Sequence, residues 1–223
     1  MKKNILYISL FFFALTMSSC KEDVEIWDSN TLGYSGTYFW ELFSEDMADI
    51  YVGYDNAVQL MIYNTSANKE NEVWIEDTDG VFPLKSKFTL DGTPESFKSM
   101  SMDFADLEND IIAIEVPGDK PTGLNQEVTE DRGYIRNAIL EGKILPNAGT
   151  TISGNPVDSL YIKIKLLSGT VTFTSKAVPV ELRADPEVEQ FDWEYTNATY
   201  DNTLDEIYVI SGHRKTGFSE DDH

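Results

Sequence analysis

Basic residues, cysteine and histidine are all scarce in this chain of 223 residues. Lysine and arginine number 17 against 39 acidic residues, which gives a formal net charge of −22. Nucleic-acid binders need a basic surface to displace counterions from phosphates, so this charge balance excludes nucleic acid as a partner. A single cysteine excludes an internal disulfide framework. The fold must therefore depend on its hydrophobic core, and 41 % apolar residues are enough to form one.

The amino terminus has the parts of a secretory signal. Two lysines precede an apolar run of 13 residues, 5–17, which is too short to span a bilayer. Two serines follow, then the lone cysteine, and this Met-Ser-Ser-Cys pattern resembles a bacterial lipobox. We therefore expect a signal peptide over residues 1–19 and an acyl anchor on Cys20 that attaches the chain to a membrane. An uncleaved helix with an incidental cysteine is the alternative.

Residues 20–33 are polar and predict a lipidated tether that leads into a domain over residues 34–223. Lys21-Glu22-Asp23 resembles the acidic export tag that carries some lipoproteins to the outer face of the outer membrane. The resemblance implies a cell-surface, outer-membrane location. A plain solvated tether explains the same three residues equally well.

Alternation of apolar and polar residues dominates the domain and predicts an all-β fold. Turn dipeptides such as Pro146-Asn147 and Ser168-Gly169 separate the runs. We predict a single antiparallel β-barrel of about eight to ten strands, with a β-sandwich as the alternative. The predicted strands cover residues 36–43, 58–63, 72–76, 82–90, 97–104, 111–116, 134–145, 160–166, 170–174 and 207–212.

One stretch, residues 184–203, lacks a clear strand pattern. No lysine or arginine lies between Arg183 and Arg214, yet eight acidic residues do. Aromatic residues alternate with these acids. We predict an acidic insertion, ordered or forming a long loop, before the last strand.

Six short motifs carry a family resemblance. They are Tyr63-Asn64-Thr65, Val73-Trp74-Ile75, Phe82 with 85–88, Gly142-Lys143-Ile144-Leu145, Asp158-Ser159-Leu160-Tyr161 and Gly212-His213-Arg214-Lys215-Thr216-Gly217-Phe218. They resemble the lipid-binding putative hydrolases, a family of lipoproteins from anaerobic bacteria. The resemblance extends over about residues 33–222, except the acidic stretch 184–203. It implies a lipocalin-like barrel, and it implies lipid binding more firmly than hydrolysis.

Lipocalin-like barrels are closed at one end by an aromatic residue of the first strand that packs against an arginine of the last strand. Gly36-Thr37-Tyr38 occupies the first-strand position, and Trp40 lies on the same face of the strand. Arg214 is the matching arginine, and either aromatic ring is suited to meet it. The alternative is that both rings are ordinary core residues. The candidate residues for ligand binding or barrel closure are Tyr38, Trp40, Tyr63, Trp74, His213 and Arg214, with the four aromatic rings expected to point inward.

No catalytic or metal site is predicted. His213 is the only plausible imidazole base, because the other histidine, His223, is the last residue and is expected to be mobile. Ser211 lies two residues from His213, too far for a hydrogen bond along a strand, and no G-x-S-x-G elbow exists. The two histidines have no ligand spacing, so zinc is not expected, and no cofactor is predicted.

Three functions remain open. The first is a membrane-anchored, non-catalytic lipoprotein that binds a lipid or other small apolar ligand. The second is a glycan-binding or structural accessory of an outer-membrane nutrient uptake system, with Trp193 and Tyr195 stacking on sugar rings. The third is an esterase-type hydrolase that uses His213. Ligand identity and oligomeric state do not follow from the residues.

Overall fold

The computed structural model describes residues 28–107 and 115–223. Several predictions fall outside the described residues. They are the signal peptide, Cys20, most of the tether and residues 111–114 of the predicted strand 111–116. No helix in the described ranges is long and apolar enough to cross a membrane. The strands are β1 (Gly36–Ser44), β2 (Ile50–Val52), β3 (Gln59–Asn64), β4 (Glu72–Asp77), β5 (Lys85–Thr93), β6 (Ser96–Ser99), β7 (Glu127–Thr150), β8 (Pro156–Ala177), β9 (Phe191–Tyr200) and β10 (Glu206–Arg214). Short 3-10 turns cover Phe104–Asp106, Val180–Leu182, Asn202–Leu204 and Ser219–Asp221.

The strands form one antiparallel sheet whose hydrogen bonding runs round a ring. Each strand pairs with the next in the order β8, β10, β1, β3, β4, β5, β6, β7, and β7 pairs back with β8. The ring is uneven, because β6 meets β7 through one residue pair, Phe97 with Gly142. The all-β prediction is confirmed, and this uneven ring is compatible with both the predicted barrel and a sandwich.

Strands β7 and β8 are much longer than the others, with 24 and 22 residues, and they pair with each other. The first part of β8, residues 159–166, pairs with β10. Its second part, residues 169–177, pairs with β9. One strand therefore continues out of the ring into a three-stranded extension made of β7, β8 and β9.

Two predicted turns are wrong, because both lie inside these long strands. Ser168-Gly169 marks the point where β8 changes its partner from β10 to β9. Glycine is required there, since a Cβ at Gly169 would lie 2.0 Å from the backbone oxygen of Thr199. Pro146-Asn147 falls in a register shift of β7, where an interrupted ladder tolerates proline.

The acidic stretch 184–203 contains β9, a strand that the sequence analysis missed. Trp193 and Ala198 are five residues apart, yet both pack on the buried cluster of the extension. This spacing is possible because the register shifts opposite Thr172 and Phe173. A bulge of this kind interrupts the period of two on which recognition of a strand depends.

The interior of the ring is filled by one cluster of apolar side chains, each at most 6 % exposed. Alternate residues along each strand contribute to it, as the period of two predicts. The binding site for any ligand is therefore sought at the ends and in the wall of the ring. The cluster comprises Tyr34, Tyr38, Trp40, Leu42, Leu60, Ile62, Val73, Ile75, Phe82, Leu84, Phe88, Leu90, Phe97, Ile139, Ile144, Leu160, Ile162, Ile164, Leu166 and Ile210.

Candidate functional site

At one end of the ring, the guanidinium of Arg214 lies over the ring of Tyr38. Strand pairing sets the two residues opposite each other, and the Cζ of Arg214 is 5.1 Å from the centroid of the tyrosine ring. The Nε of Arg214 donates to a carboxylate oxygen of Asp158 at 3.0 Å, and its Nη1 donates to the carbonyl oxygen of Ser35. Of the two aromatic residues considered for this contact, Tyr38 rather than Trp40 meets the guanidinium.

The surroundings of Tyr38 hold this arrangement in place. A Cβ at Gly36 would lie 2.3 Å from Nη1 of Arg214, so a larger residue there would displace the guanidinium. The hydroxyl of Tyr38 donates to the carbonyl oxygen of Tyr34 at 3.0 Å. Burial raises the pKa of Tyr38 to about 12, which keeps this hydroxyl protonated. The polar groups of Tyr38 and Arg214 already form hydrogen bonds within the protein. A role of these two residues in ligand binding stays a prediction.

Trp40 lies deeper in the ring and is fully buried. Its indole Nε1 has no hydrogen-bond partner among the described residues. Its ring is 6.3 Å from that of Phe82, which is in turn 5.6 Å from that of Tyr208. Trp40 is therefore a core residue that carries a buried, unsatisfied donor.

The inward orientation expected for Tyr63 and Trp74 is wrong. Leu60 and Ile62 of β3 point into the core, so Tyr63 points outward, where its hydroxyl donates to Glu76 at 2.7 Å. Trp74 is paired with Tyr63 across β3 and β4 and lies on the same outer face. Neither ring lines the interior, so the reason for including them in an internal ligand site no longer applies.

A cleft of about 660 Å³ opens in the wall of the ring, beside the first half of β5. Strand β6 pairs only with residues 90–93 of β5, so it does not cover residues 85–89. The chain after β6 forms the other side of the cleft. The lining residues are Lys69, Glu72, Lys87, Phe88, Thr89, Ser99, Met100, Ser101, Asp106 and Leu107.

The cleft combines an apolar floor with charges of both signs. Phe88 and Leu107 are buried, and Met100 is 60 % exposed beside them. The Nζ of Lys69 is 2.6 Å from a carboxylate oxygen of Glu72. The hydrogen bond from Lys69, together with the charges of Lys69 and Lys87, lowers the pKa of Glu72. With Asp106, the cleft thus holds two ammonium groups and two carboxylates, in a chain that is strongly acidic overall.

The sequence analysis missed this cleft entirely. Its lining comes from the loop before β4, from the start of β4, from β5, from β6 and from the segment after β6. No motif joins these residues. The one local signal is Lys69 three residues before Glu72, and that spacing is common among surface ion pairs.

Comparison with known protein families shows which family this chain belongs to. The model of the family described as lipid-binding putative hydrolase matches residues 23–219. The chain belongs to this family. The prediction from its short motifs is thereby confirmed, and the family and the all-β fold are both consistent with a lipid-binding protein. No curated protein matches the chain.

The word hydrolase in the family description directs attention to His213, which is buried. Its Nε2 is 2.7 Å from Nε2 of His223, and its Nδ1 is 3.2 Å from the carbonyl oxygen of Arg214. Among the described residues these are its hydrogen-bond partners, and neither is a serine or a carboxylate. The arrangement is not that of a nucleophile activated by a base. The expectation that His223 is mobile is wrong, because its ring stacks on Tyr54 at 4.3 Å.

Trp193, the residue proposed to stack on sugar, is engaged within the protein. Its indole N–H donates to the carbonyl oxygen of Asp119 at 2.6 Å, and its ring packs on the cluster of the extension. Tyr195 remains 36 % exposed. Within the two described ranges, no group of three or more His, Cys, Asp or Glu side chains converges as a metal site.

Proposed function

We propose that this family member is a non-catalytic binding protein for a lipid or another small apolar ligand, and that the wall cleft is its binding site. The cleft volume of about 660 Å³ carries the proposal. Ligand pockets in proteins have volumes of about 300–1,000 Å³ and combine apolar walls with a few polar groups. The family match supports the same ligand class.

The residues of the cleft suit an amphipathic ligand. An apolar chain would lie against Phe88, Met100 and Leu107, which removes its surface from water. An acidic head group would face Lys69 and Lys87, because a charged acceptor forms the strongest hydrogen bonds with ammonium donors. The charges that line the cleft balance, whereas the whole chain carries −22, so the cleft repels an acidic ligand less than the rest of the surface does.

Replacing Met100 with aspartate tests the site. The methionine is exposed, so folding is preserved, whereas a carboxylate in the apolar wall opposes an apolar chain. We expect displacement of a fluorescent fatty acid to weaken by about tenfold or more, since the loss of roughly 1.4 kcal/mol is a factor of ten. Met102→Asp is the matched control, because Met102 is also exposed and does not line the cleft.

Either of two experimental results would contradict the proposal. One is the absence of any ligand both in native mass spectrometry and in fluorescent fatty-acid displacement. The other is equal binding by the Met100→Asp and Met102→Asp variants. Esterase activity that disappears in a folded His213→Gln variant contradicts its non-catalytic part, because His213 is the one imidazole base considered for hydrolysis.

The proposal includes an acyl anchor on Cys20 and a location on the outer face of the outer membrane. The lipobox-like residues before Cys20 and the acidic residues after it support both parts. Metabolic labelling with a radioactive fatty acid should mark the wild-type protein in a bacterial host and leave Cys20→Ser unlabelled. Equal labelling of the two proteins, or none of the wild type, contradicts the anchor.

A further inference from the structure

The charged groups of the wall cleft are divided between its two sides. One side consists of the loop before β4, the start of β4 and β5, and it carries Lys69, Glu72 and Lys87. The other side is the chain after β6, and it carries Asp106. The first side therefore has an excess of one positive charge and the second side has one negative charge. The cleft is neutral as a whole, yet it is polarised across its width.

The two carboxylates of the cleft differ in what they can offer a ligand. Glu72 is bound from its own side, because it accepts from the Nζ of Lys69 at 2.6 Å and from the hydroxyl of Thr65 at 3.3 Å. Its side chain is only 11 % exposed. Asp106 is exposed and accepts from the hydroxyl of Ser101 at 2.8 Å. A carboxylate has about four acceptor positions, so Asp106 is the group suited to receive a cation from a ligand.

The backbone joins the two sides at one end of the cleft. The amide of Met100 donates to the carbonyl oxygen of Thr89 at 2.8 Å, just beyond the pairing of β5 with β6. Beyond this junction, Lys87 lies on β5 and Asp106 lies in the chain after β6. The apolar floor lies between the same two segments, since Phe88 and Leu107 belong to them. One ligand can therefore contact the floor and both sides.

A polarised cleft matches a ligand that itself carries both charges. The phosphate of such a ligand would face the two lysines and its ammonium group would face Asp106, and hydrogen bonds between charged groups are the strong ones. The ligand has no net charge, so the −22 of the chain does not repel it as it repels an anion. Building on the proposed function, we infer that the cleft selects a zwitterionic amphiphile, in which a phosphate and an ammonium group follow an apolar chain, over an anionic one with the same chain.

The lining also distinguishes between two kinds of ammonium group. Proteins recognise a quaternary ammonium by placing aromatic rings around it. Among the described residues, Phe88 is the one aromatic residue of the lining, and it is only 1 % exposed. A primary ammonium instead has three N–H donors, and Asp106, Ser101 and Thr89 supply acceptor oxygens. The preferred head group therefore carries a primary ammonium.

Lauroyl amphiphiles that differ only in their head groups test this selectivity. Each displaces a fluorescent fatty acid from the full chain, below its own micelle-forming concentration. Lysophosphatidylethanolamine should act at a concentration about fivefold lower than lysophosphatidic acid, because a partly exposed ion pair contributes up to about a factor of five. Lysophosphatidylcholine should be weaker than lysophosphatidylethanolamine. Glycerophosphoethanolamine has the head group without the acyl chain, and it should be at least about tenfold weaker because it leaves the apolar floor unused.

Asp106→Asn is the decisive variant, since it removes the negative charge and keeps an oxygen acceptor for Ser101. The preference for lysophosphatidylethanolamine over lysophosphatidic acid should fall to about one. Asp103→Asn removes the same charge from an exposed residue that does not line the cleft, and it should leave the preference unaltered. This ratio does not respond to a general loss of stability, because both ligands carry the same chain and phosphate.

The possible outcomes separate this inference from the proposed function. Equal displacement by lysophosphatidylethanolamine and lysophosphatidic acid, or an unchanged preference in Asp106→Asn, overturns the zwitterion selectivity and leaves the proposed function standing. Lysophosphatidylcholine that equals lysophosphatidylethanolamine overturns the choice of a primary ammonium. Glycerophosphoethanolamine that equals the lysolipid shows that the ligand is a soluble head-group compound, which overturns the assignment to an amphiphile. If no amphiphile displaces the probe, the proposed function fails as well.

Discussion

Replacing Gly212 with alanine should lower the free energy of unfolding by about 3 kcal/mol, the upper part of the range for overpacked cores. Gly212 lies in β10 opposite Trp40 of β1. A Cβ built on it would be 2.1 Å from the carbonyl oxygen of Phe39 and 3.0 Å from the Cα of Trp40. Both atoms belong to the backbone of β1, so no side-chain rotation relieves the collision. The two strands must separate where the first and last strands of the ring meet.

Urea unfolding followed by circular dichroism measures this effect. Gly133→Ala is the matched control, because Gly133 also lies in a strand and nothing stands within 4 Å of the position that its Cβ would take. That substitution should change the free energy of unfolding by less than about 1 kcal/mol. Equal stabilities of the Gly212→Ala and Gly133→Ala proteins would show that β1 and β10 do not approach as closely as described.

Trp40 gives the second large effect, through two substitutions with different expected sizes. Trp40→Ala should cost about 3–5 kcal/mol, as the loss of a fully buried large side chain does elsewhere. Trp40→Phe retains an aromatic ring and removes the indole N–H that has no partner among the described residues. Leaving a buried donor unpaired costs about 1–3 kcal/mol, so its removal offsets much of the lost volume. We expect Trp40→Phe to cost no more than about 1.5 kcal/mol.

The two variants distinguish the effect of the lost side-chain volume from the effect of the unpaired indole N–H. Both proteins are unfolded in urea under the same conditions, and the difference between their free energies of unfolding should be at least about 1.5 kcal/mol. If Trp40→Phe is as destabilising as Trp40→Ala, the indole N–H forms an interaction that stabilises the fold, and its description as unsatisfied is wrong.

The alternation of apolar residues was enough to predict the class of the fold and most strands of the ring. It was also enough to assign the faces of β3, where Leu60 and Ile62 are inward and Tyr63 must then be outward. Tyr63 was nevertheless expected to point inward because it is aromatic, although the period of two along β3 predicts the opposite. The structure corrects this expectation. Trp74 was ambiguous by sequence, since Val73 and Ile75 on either side are apolar too. Its face was decided by pairing with Tyr63.

The contact between Tyr38 and Arg214 was the part of the candidate site most accessible to sequence. Gly36, Tyr38 and Arg214 are close to the two ends of the folded domain, and the lipocalin pattern relates the first strand to the last. The choice between Tyr38 and Trp40 was not accessible. It depends on the register of β1 and β10, which sets Tyr38 opposite Arg214. Register is a property of the pair of strands, and neither strand encodes it alone.

By itself the sequence determined what depends on neighbouring residues: most of the strands, their inward rows, the charge, the family motifs and the expectation of an anchor at Cys20. Tertiary structure alone decided what depends on segments far apart in the chain. The cleft joins residues 69–72, 87–89 and 99–107, and the contact between the two imidazoles joins His213 to His223. The physical reason is that these contacts form when strands pair and when the chain folds back on itself. The local alternation of apolar and polar residues does not encode either of these.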